Sequence, residues 1–306
     1  MMTSHKILLS GASGMLGTAL VRVAEANRIS ALRLVRHEPA NSSEIRWNPE
    51  ASQAISDLAP LEGIDAVIHL SGANIAGHRW TPAYKREIFA SRIGTTRALV
   101  SVLKSLKKPP PAFLCASATG IYGDRGDEIL SETSQPGGGF LAETCLAWET
   151  EAAQARTAGI RVVHLRFGVV LDRDGGAVKK MLPLFRLGLG GNLGDGRQWM
   201  SWIALSDVVR ALFDLVKLPT ADGPFNFVAP DPITNADFTL ALARALHRPA
   251  IVPAPAFALR LAFGEIADQV LLASARVVPD RFLRSGFTFE LPDIASALDN
   301  ILHPIR

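Results

Sequence analysis

Tyrosine is nearly missing from this chain. Among 306 residues only Tyr84 and Tyr122 occur, so chemistry that needs a phenolic acid–base group has two places to find one. Cysteine is as scarce. Cys115 lies in the apolar run Ala112-Phe-Leu-Cys-Ala116, which reads as a buried thiol rather than half of a disulfide with Cys145 and fits a reducing compartment. Concentrated positive charge is also lacking: the formal net charge is +3, and the densest basic points, Lys107-Lys108 and Lys179-Lys180, are short and without interleaved aromatics. A surface that tracks nucleic-acid phosphates is therefore not expected. The apolar stretch near the C-terminus is interrupted by Arg260, Glu265 and Asp268, and Met1-Met-Thr-Ser-His-Lys6 carries no signal-peptide core, so neither a membrane span nor a leader is expected. No grouping of His, Cys, Asp and Glu has metal-ligand spacing, and Gly-x-Ser-x-Gly is absent. Metal hydrolysis and serine-esterase chemistry are thereby excluded. The expectation is a cytoplasmic protein with a small-molecule substrate, no nucleic-acid or membrane partner, no metal, and a monomeric or homodimeric state.

What the chain has is an opening of high information. Lys6-Ile-Leu-Leu-Ser10 is followed at once by Gly11-Ala-Ser-Gly14-Met-Leu-Gly17. The apolar run has strand length, and Thr18 to Ala26 reads as a helix, with Leu16, Leu20 and Val23 at helical spacing. Gly11 lets the chain reverse with positive φ, Gly14 lets the backbone approach a pyrophosphate, and Gly17 lets the helix pack close to the sheet. The unpaired amides at the helix start then face the diphosphate.

Strands and helices alternate after this unit. Strands are expected at 31–35, 45–47, 66–70, 112–116 and 162–167, with helices at about 82–107 and 141–158. Thr81 and Pro82 suit a helix start, and Pro109-Pro110-Pro111 bars continuation. The rhythm implies an α/β, doubly wound parallel sheet of the Rossmann type. The domain expectation is a cofactor-binding Rossmann domain over 1–170, to which later segments such as 200–230 return, and a smaller, partly discontinuous C-terminal lobe over 171–306. In that lobe Gly188–Gly196 reads as a flexible loop, Ser206-Asp207 as a helix cap, Phe225–Val228 as a strand, and Asn235–Leu246 and Pro292–Leu302 as helices.

The second strand ends in Arg36-His37, where such a fold meets the adenosine ribose. An NAD site normally places a carboxylate there, which would repel a 2′-phosphate. Arg36 offers a planar, permanently charged fork suited to phosphate, and Ser13 in the glycine turn adds a hydroxyl. NADP(H) is expected in preference to NAD(H); in the alternative, Arg36 is a solvated strand-end charge and Glu38 takes the ribose.

Together, Gly11/Gly14/Gly17, Asp65-Ala-Val-Ile-His-Leu-Ser-Gly-Ala73, Gly94-Thr95, Ser117-Ala-Thr-Gly-Ile-Tyr-Gly123 and Leu165-Arg-Phe-Gly-Val-Val170 resemble the extended short-chain dehydrogenase/reductases. Arg79-Trp80-Thr81, Trp148-Glu149, Met181–Gly191, Gly196-Arg-Gln198, Trp202-Ile203, Phe225-Asn226, Pro230, Asn235-Ala236 and Gly264-Glu265 are similar to one subfamily, the epimerase family or sugar-nucleotide epimerase-like proteins, also labelled cell-division-inhibitor-like. The resemblance implies an NADP-binding fold with an appended C-terminal segment. It also implies cofactor contacts at Met15, Leu16, Leu70, Ser71, Gly72, Ala73, Arg92 and Phe167.

The resemblance breaks at the chemistry. The family mechanism uses Tyr-x-x-x-Lys on the helix after the fifth strand, the tyrosine exchanging a proton and the lysine lowering its pKa. Four residues after Tyr84 and Tyr122 stand Ile88 and Gly126, and at the expected helix stand Phe140 and Thr144. The family's hydroxyl survives as Ser117 or Thr119. Tyr122 either faces the substrate or packs against its loop, Glu143 near the lysine's place reads as a surface charge, and Ser91 replaces an asparagine common before Gly94-Thr95. His78, Arg79 and Trp80 after the fourth strand, with Arg197 and Trp199 after the glycine-dense loop, are candidate substrate contacts, the two arginines suiting an anion; inter-lobe salt bridging or solvation is their alternative. His69, inside a strand, reads as a hydrogen-bonded core residue. Two functions follow: an NADP-dependent oxidoreductase or epimerase in which Ser117 orients the reacting oxygen and Tyr122, a substrate group or water moves the proton; or a catalytically weak nucleotide-binding sensor or assembly protein, with the cell-division label as its hint.

Overall fold

A computed structural model of the chain describes residues 5–304; Met1–Ser4, part of the stretch read above for a leader, lie outside the described residues. The apolar run after Lys6 forms strand β1 (Lys6–Ser10), and the chain continues through α1 (Met15–Ala26), β2 (Ser30–Val35), β3 (Glu44–Arg46), β4 (Ala66–His69), α2 (Pro82–Ser105) and β5 (Ala112–Ala118). Next come β6 (Ile129–Leu130), α3 (Phe140–Ala153), β7 (Arg161–Phe167), β8 (Val169–Leu171) and α4 (Gly176–Arg186). The remainder comprises β9 (Trp199–Met200), β10 (Trp202–Ala204), α5 (Leu205–Lys217), β11 (Gly223–Phe227), β12 (Ile233–Thr234), α6 (Asn235–Ala245), α7 (Ala256–Phe263), β13 (Arg276–Val277), α8 (Asp280–Arg284) and α9 (Ile294–Leu302).

Seven strands make one parallel sheet in the order β11-β7-β5-β4-β1-β2-β3. This is a Rossmann-type arrangement, with β1 and β4 side by side where the strand order reverses. Their register pairs Ile7 with Ala66 and Ser10 with His69, so both strands end at the same level. The central strands are buried on both faces, as a sheet covered by helices requires: Ile7, Leu8, Leu9, Val67, Ile68, Phe113 and Leu114 are all at most 1% exposed.

Local chemistry explains the element ends. Thr81 caps α2 by accepting the Tyr84 amide, with Pro82 in the first turn. Thr234 and Asp237 form a reciprocal capping box on α6. The first helix begins at Met15, three residues earlier than its apolar spacing suggested, because Gly14 adopts an extended conformation and serves as its N-cap. The helix expected over 141–158 ends as an α-helix at Ala153, then tightens into a 3₁₀ turn closed by Gly159 at φ +75°.

The chain divides into two compact units. The first comprises 1–117, 146–165 and 209–224; the second comprises 118–145, 166–208 and 225–306. In the second, a core gathers Leu182, Phe185, Trp202, Phe238, Leu242, Ala297 and Leu298, which seats α9 against α6. Two expectations change here. Ser206 and Asp207 lie inside α5, and the Asp207 carboxylate accepts the Glu290 and Leu291 amides at 2.9 and 3.0 Å. The glycine-dense segment is not a slack loop: it pairs with 250–254 through Val252 N–H to Gly190 O (3.0 Å) and Ala254 N–H to Asn192 O (2.8 Å). A Cβ on Gly191 would lie 2.1 Å from the Val252 carbonyl oxygen, and one on Gly190 2.7 Å from the Phe185 ring. These glycines serve close backbone approach, which composition alone cannot tell from flexibility.

Candidate functional site

The glycine turn leaves β1 at the reversal point of the sheet. Gly11 has φ +74°, and a Cβ on it would lie 2.8 Å from the Leu70 carbonyl carbon, so its lack of side chain lets the end of β4 come alongside. Gly17 meets the turn itself rather than the sheet: a Cβ there would sit 2.3 Å from the Gly11 oxygen. Gly14 is exposed, and its only neighbour within 4 Å of a Cβ position is that same oxygen at 3.4 Å. No side chain caps α1. A helix start with open amides, no cap and no Cβ in front suits an anionic diphosphate, so the residues present fit a dinucleotide. Ser13 is exposed beside it, and Met15 and Leu16 form the first turn.

Arg36 lies exposed one residue past β2. Glu38, the other candidate for the ribose, is paired with Arg46. Beyond β4, Ala73 is held from both sides: its amide donates to Ser91 Oγ at 3.0 Å, and its carbonyl accepts Arg92 Nη2 at 3.0 Å. Arg92 also donates to Ile88 O and lies over the Trp148 ring at 5.2 Å, which makes it a brace for the Leu70–Ala73 segment. The replacement of asparagine by Ser91 thus leaves an anchoring hydroxyl in place.

The loop after Ala73 folds onto the start of α2. Trp80 is buried, with its indole N–H donated to Ile75 O at 2.7 Å; the Tyr84 hydroxyl donates to Asn74 O; and the His78 ring stands edge-on to Tyr84 at 5.1 Å. His78 and Arg79 are exposed. Below the sheet's end, His69 is fully buried between Ser10 Oγ at 2.5 Å and Thr96 Oγ1 at 3.1 Å. Trp148 donates to the same Thr96 oxygen at 2.8 Å, and both ring nitrogens of His69 have hydroxyl partners inside the core. Burial lowers the pKa of His69 to about 3. It is a core histidine.

The two residues assigned catalytic work have other partners. Ser117 is 3% exposed, and its hydroxyl donates to Glu149 Oε1 at 2.7 Å, with Glu149 itself buried on α3. Tyr122 is fully buried in the second unit; its hydroxyl donates to Asn226 Oδ1 at 2.7 Å and accepts from Arg166 Nη1 at 2.9 Å. Desolvation raises its pKa, against the opposing pull of Arg166, so it is not poised as a base. Tyr122 is thus enclosed within its unit, between Asn226 and Arg166. Thr119 is half-buried in the turn between them. Phe167 packs against Phe227 with the rings tilted by 60° and 4.9 Å between centroids.

Elsewhere in the second unit, Trp199 donates to Asp127 Oδ1 at 2.7 Å beneath the Arg276 guanidinium, and Arg197 is exposed. Of the residues standing where the family pair is expected, Thr144 is buried and donates to Phe140 O at 2.7 Å. Glu143 is exposed in the first turn of α3. Two contacts were not foreseen. Glu149 holds Ser117, and Gln269 reaches the start of α3, where its Oε1 accepts the Leu141 amide at 3.2 Å while its Nε2 donates to Glu265 Oε1 at 2.6 Å. Trp148-Glu149 and Gly264-Glu265 stood out only as pattern, without a physical reason. Among the described residues no group of three or more His, Cys, Asp or Glu can hold a metal ion, and no helix is long and apolar enough to cross a membrane.

A Rossmann sheet with an uncapped, Cβ-free helix start at its reversal point defines a nucleotide-cofactor-binding protein of the extended short-chain dehydrogenase/reductase type. Residues 7–227 match the NAD dependent epimerase/dehydratase family, and residues 254–301 match a domain of unknown function (DUF1731). The chain belongs to the NAD dependent epimerase/dehydratase family. It is 43% identical over 297 residues to an epimerase family protein of Mycobacterium bovis, covering 97% of each chain. Its fold superimposes on the human epimerase family protein SDR39U1, solved with NADPH, at a TM-score of 0.89 and 30% identity, covering 98% of this chain and 100% of that one. It is also similar to a nucleoside-diphosphate sugar epimerase of Corynebacterium glutamicum (TM-score 0.81, 32% identity), covering 98% of this chain and 58% of that one.

Proposed function

We propose that the protein is an NADP-dependent oxidoreductase or epimerase acting on a small, polar, anionic substrate, with a nucleoside-diphosphate sugar the leading class. The observation that carries this reading is the open glycine turn at the start of α1, with an exposed arginine rather than a carboxylate one residue beyond β2. The NADPH bound by the human relative supports the cofactor, and the name of the Corynebacterium relative supports the substrate class. Gly11, Ser13, Gly14, Met15, Leu16 and Gly17 would receive the diphosphate, Arg36 the 2′-phosphate, and Leu70 to Ala73 would line the cofactor with Arg92 behind them. A bound nicotinamide cofactor would supply hydride exchange at a substrate carbon. The protein's part is to orient the substrate oxygen, a role that falls to Thr119 because the Ser117 hydroxyl is engaged by Glu149, and to bind anionic groups, for which Arg79 and Arg197 are exposed candidates.

Substitution Arg36→Glu tests the cofactor half. It should weaken NADPH binding by about tenfold or more, the worth of a charge-assisted hydrogen bond, and weaken NADH binding far less. Equal losses by calorimetry would remove Arg36 from the 2′-phosphate. The catalytic half is tested by single-turnover change in nicotinamide absorbance with a mixture of UDP-glucose, UDP-glucuronic acid, lactate and malate. No substrate-dependent change would favour the second reading, a cofactor-binding sensor or assembly protein. The engaged hydroxyls of Ser117 and Tyr122 speak for that reading.

A further inference from the structure

A cleft of about 800 Å³ lies in the second unit along α6 and the run that follows it as far as Ile251. That volume suits a small molecule, and none of its lining residues belongs to the nucleotide turn or to the start of α3. The lining includes Arg244, His247 and Arg248 and no aspartate or glutamate. All three are exposed, and among the described residues neither arginine has a carboxylate partner. The cleft is therefore positive and favours an anion.

The end of a helix is normally a poor place for an anion, because its last carbonyls carry partial negative charge. Here those carbonyls are taken. The oxygens of Leu242, Ala243 and Arg244 accept the amides of Leu246 (3.1 Å), Arg248 (3.0 Å) and His247 (3.0 Å), and that of Ala245 accepts His303 Nε2 (3.0 Å). His247 has φ +52°, the left-handed position at which this kind of closure usually carries glycine. An imidazole is thus presented at the cleft where the commoner residue would offer no side chain.

Apolar side chains make up much of the remaining wall. Leu240 and Ile251 line it at 49% and 77% exposure, area that a bound hydrocarbon chain would cover. Thr239 lines it too; it is 3% exposed, and its Oγ1 is buried with no hydrogen-bond partner among the described residues. An unsatisfied buried hydroxyl is costly and rare, and a ligand seated against Thr239 would relieve it.

We propose that this cleft is a binding site for a small aliphatic anion, a carboxylate or phosphate head on a hydrocarbon chain. The head lies on Arg244 and Arg248, whose guanidinium forks match either group, and the chain runs along Leu240 and Ile251. The site needs no residue of the first unit and does not rest on the oxidoreductase or epimerase reading.

The test titrates the full chain by calorimetry with octanoate, octyl phosphate, octanol and inorganic phosphate. Octanoate and octyl phosphate should each bind saturably at one site, about tenfold or more tighter than octanol or inorganic phosphate, the worth of a charge-assisted hydrogen bond. The tighter of the two identifies the head. The double variant Arg244→Gln/Arg248→Gln should weaken both by about tenfold or more, and Leu240→Gln by about threefold, with the melting temperature near wild type. The methyl resonances of Leu240 and Ile251 should move as octanoate is added. Heats that the double variant leaves unchanged, methyl resonances that do not move, or inorganic phosphate binding as tightly as octyl phosphate overturn the proposal. Failure of both alkyl anions to bind overturns it too. Retention on phosphatidylglycerol vesicles would then assign the cleft to a membrane surface, and a dimer in sedimentation that Arg244→Glu dissolves would assign it to a second copy of the chain.

Discussion

Ser117 illustrates how much a single hydroxyl's partner decides. Its position at the end of β5 is the family's place for a substrate-orienting group, yet its hydrogen is directed to the buried Glu149 carboxylate. Replacing Ser117 by alanine withdraws a donor from a buried acid, which costs about 1–3 kcal/mol. The expected result is a lowered melting temperature with NADPH affinity unchanged and only a small loss of any turnover, whereas Thr119→Val should remove turnover with little change in stability. A large loss of rate in Ser117→Ala at unchanged stability would return Ser117 to the reacting oxygen. Residue types and spacing predicted that a hydroxyl would stand here; they carried no information on which way it points, because that depends on a carboxylate 32 positions along the chain.

At the scale of elements, the β-α-β rhythm was legible because its signals are local. Apolar strand runs, Thr81-Pro82 before α2 and the proline stretch after it all act within a few residues. The 188–196 segment was misread because its glycines answer to a distant strand-like run, 250–254. That pairing gives a direct prediction. Gly191→Ala would force a methyl group into the Val252 carbonyl, separating the two runs at a cost of about 1–3 kcal/mol. Gly138→Ala, with nothing within 4 Å of its Cβ position, should be near neutral; chemical denaturation of both variants checks the contrast. The candidate site divides in the same way. Its glycine turn, Gly11 to Gly17, is contiguous in sequence and stands out there. The Leu141–Gln269 contact joins α3 to a segment more than a hundred residues on, and no local signal marks it.

For the whole molecule, acid stability bears the mark of His69. Its folded pKa is about 3 against an ordinary 6.5, so below pH 6.5 the unfolded chain takes up a proton that the folded chain refuses. Stability from this group is complete above pH 6.5 and falls by about 1.4 kcal/mol per pH unit as pH drops toward 3. Urea unfolding at pH 7, 6 and 5 should show this decline, and a His69→Gln variant a shallower one. The His69 ring should stay neutral at pH 5 in an NMR titration; protonation near pH 6 would contradict its place between Ser10 and Thr96.

The short strand β6 finds its partner β13 nearly 150 positions downstream, with Ile129 opposite Arg276 and Leu130 opposite Val277. A nascent chain emerges from the ribosome N-terminus first. Residues 129 and 130 therefore wait for 276 and 277 to be made before their strand pairing can form. A product clipped before Arg276 would leave Ile129 and Leu130 without their partner strand.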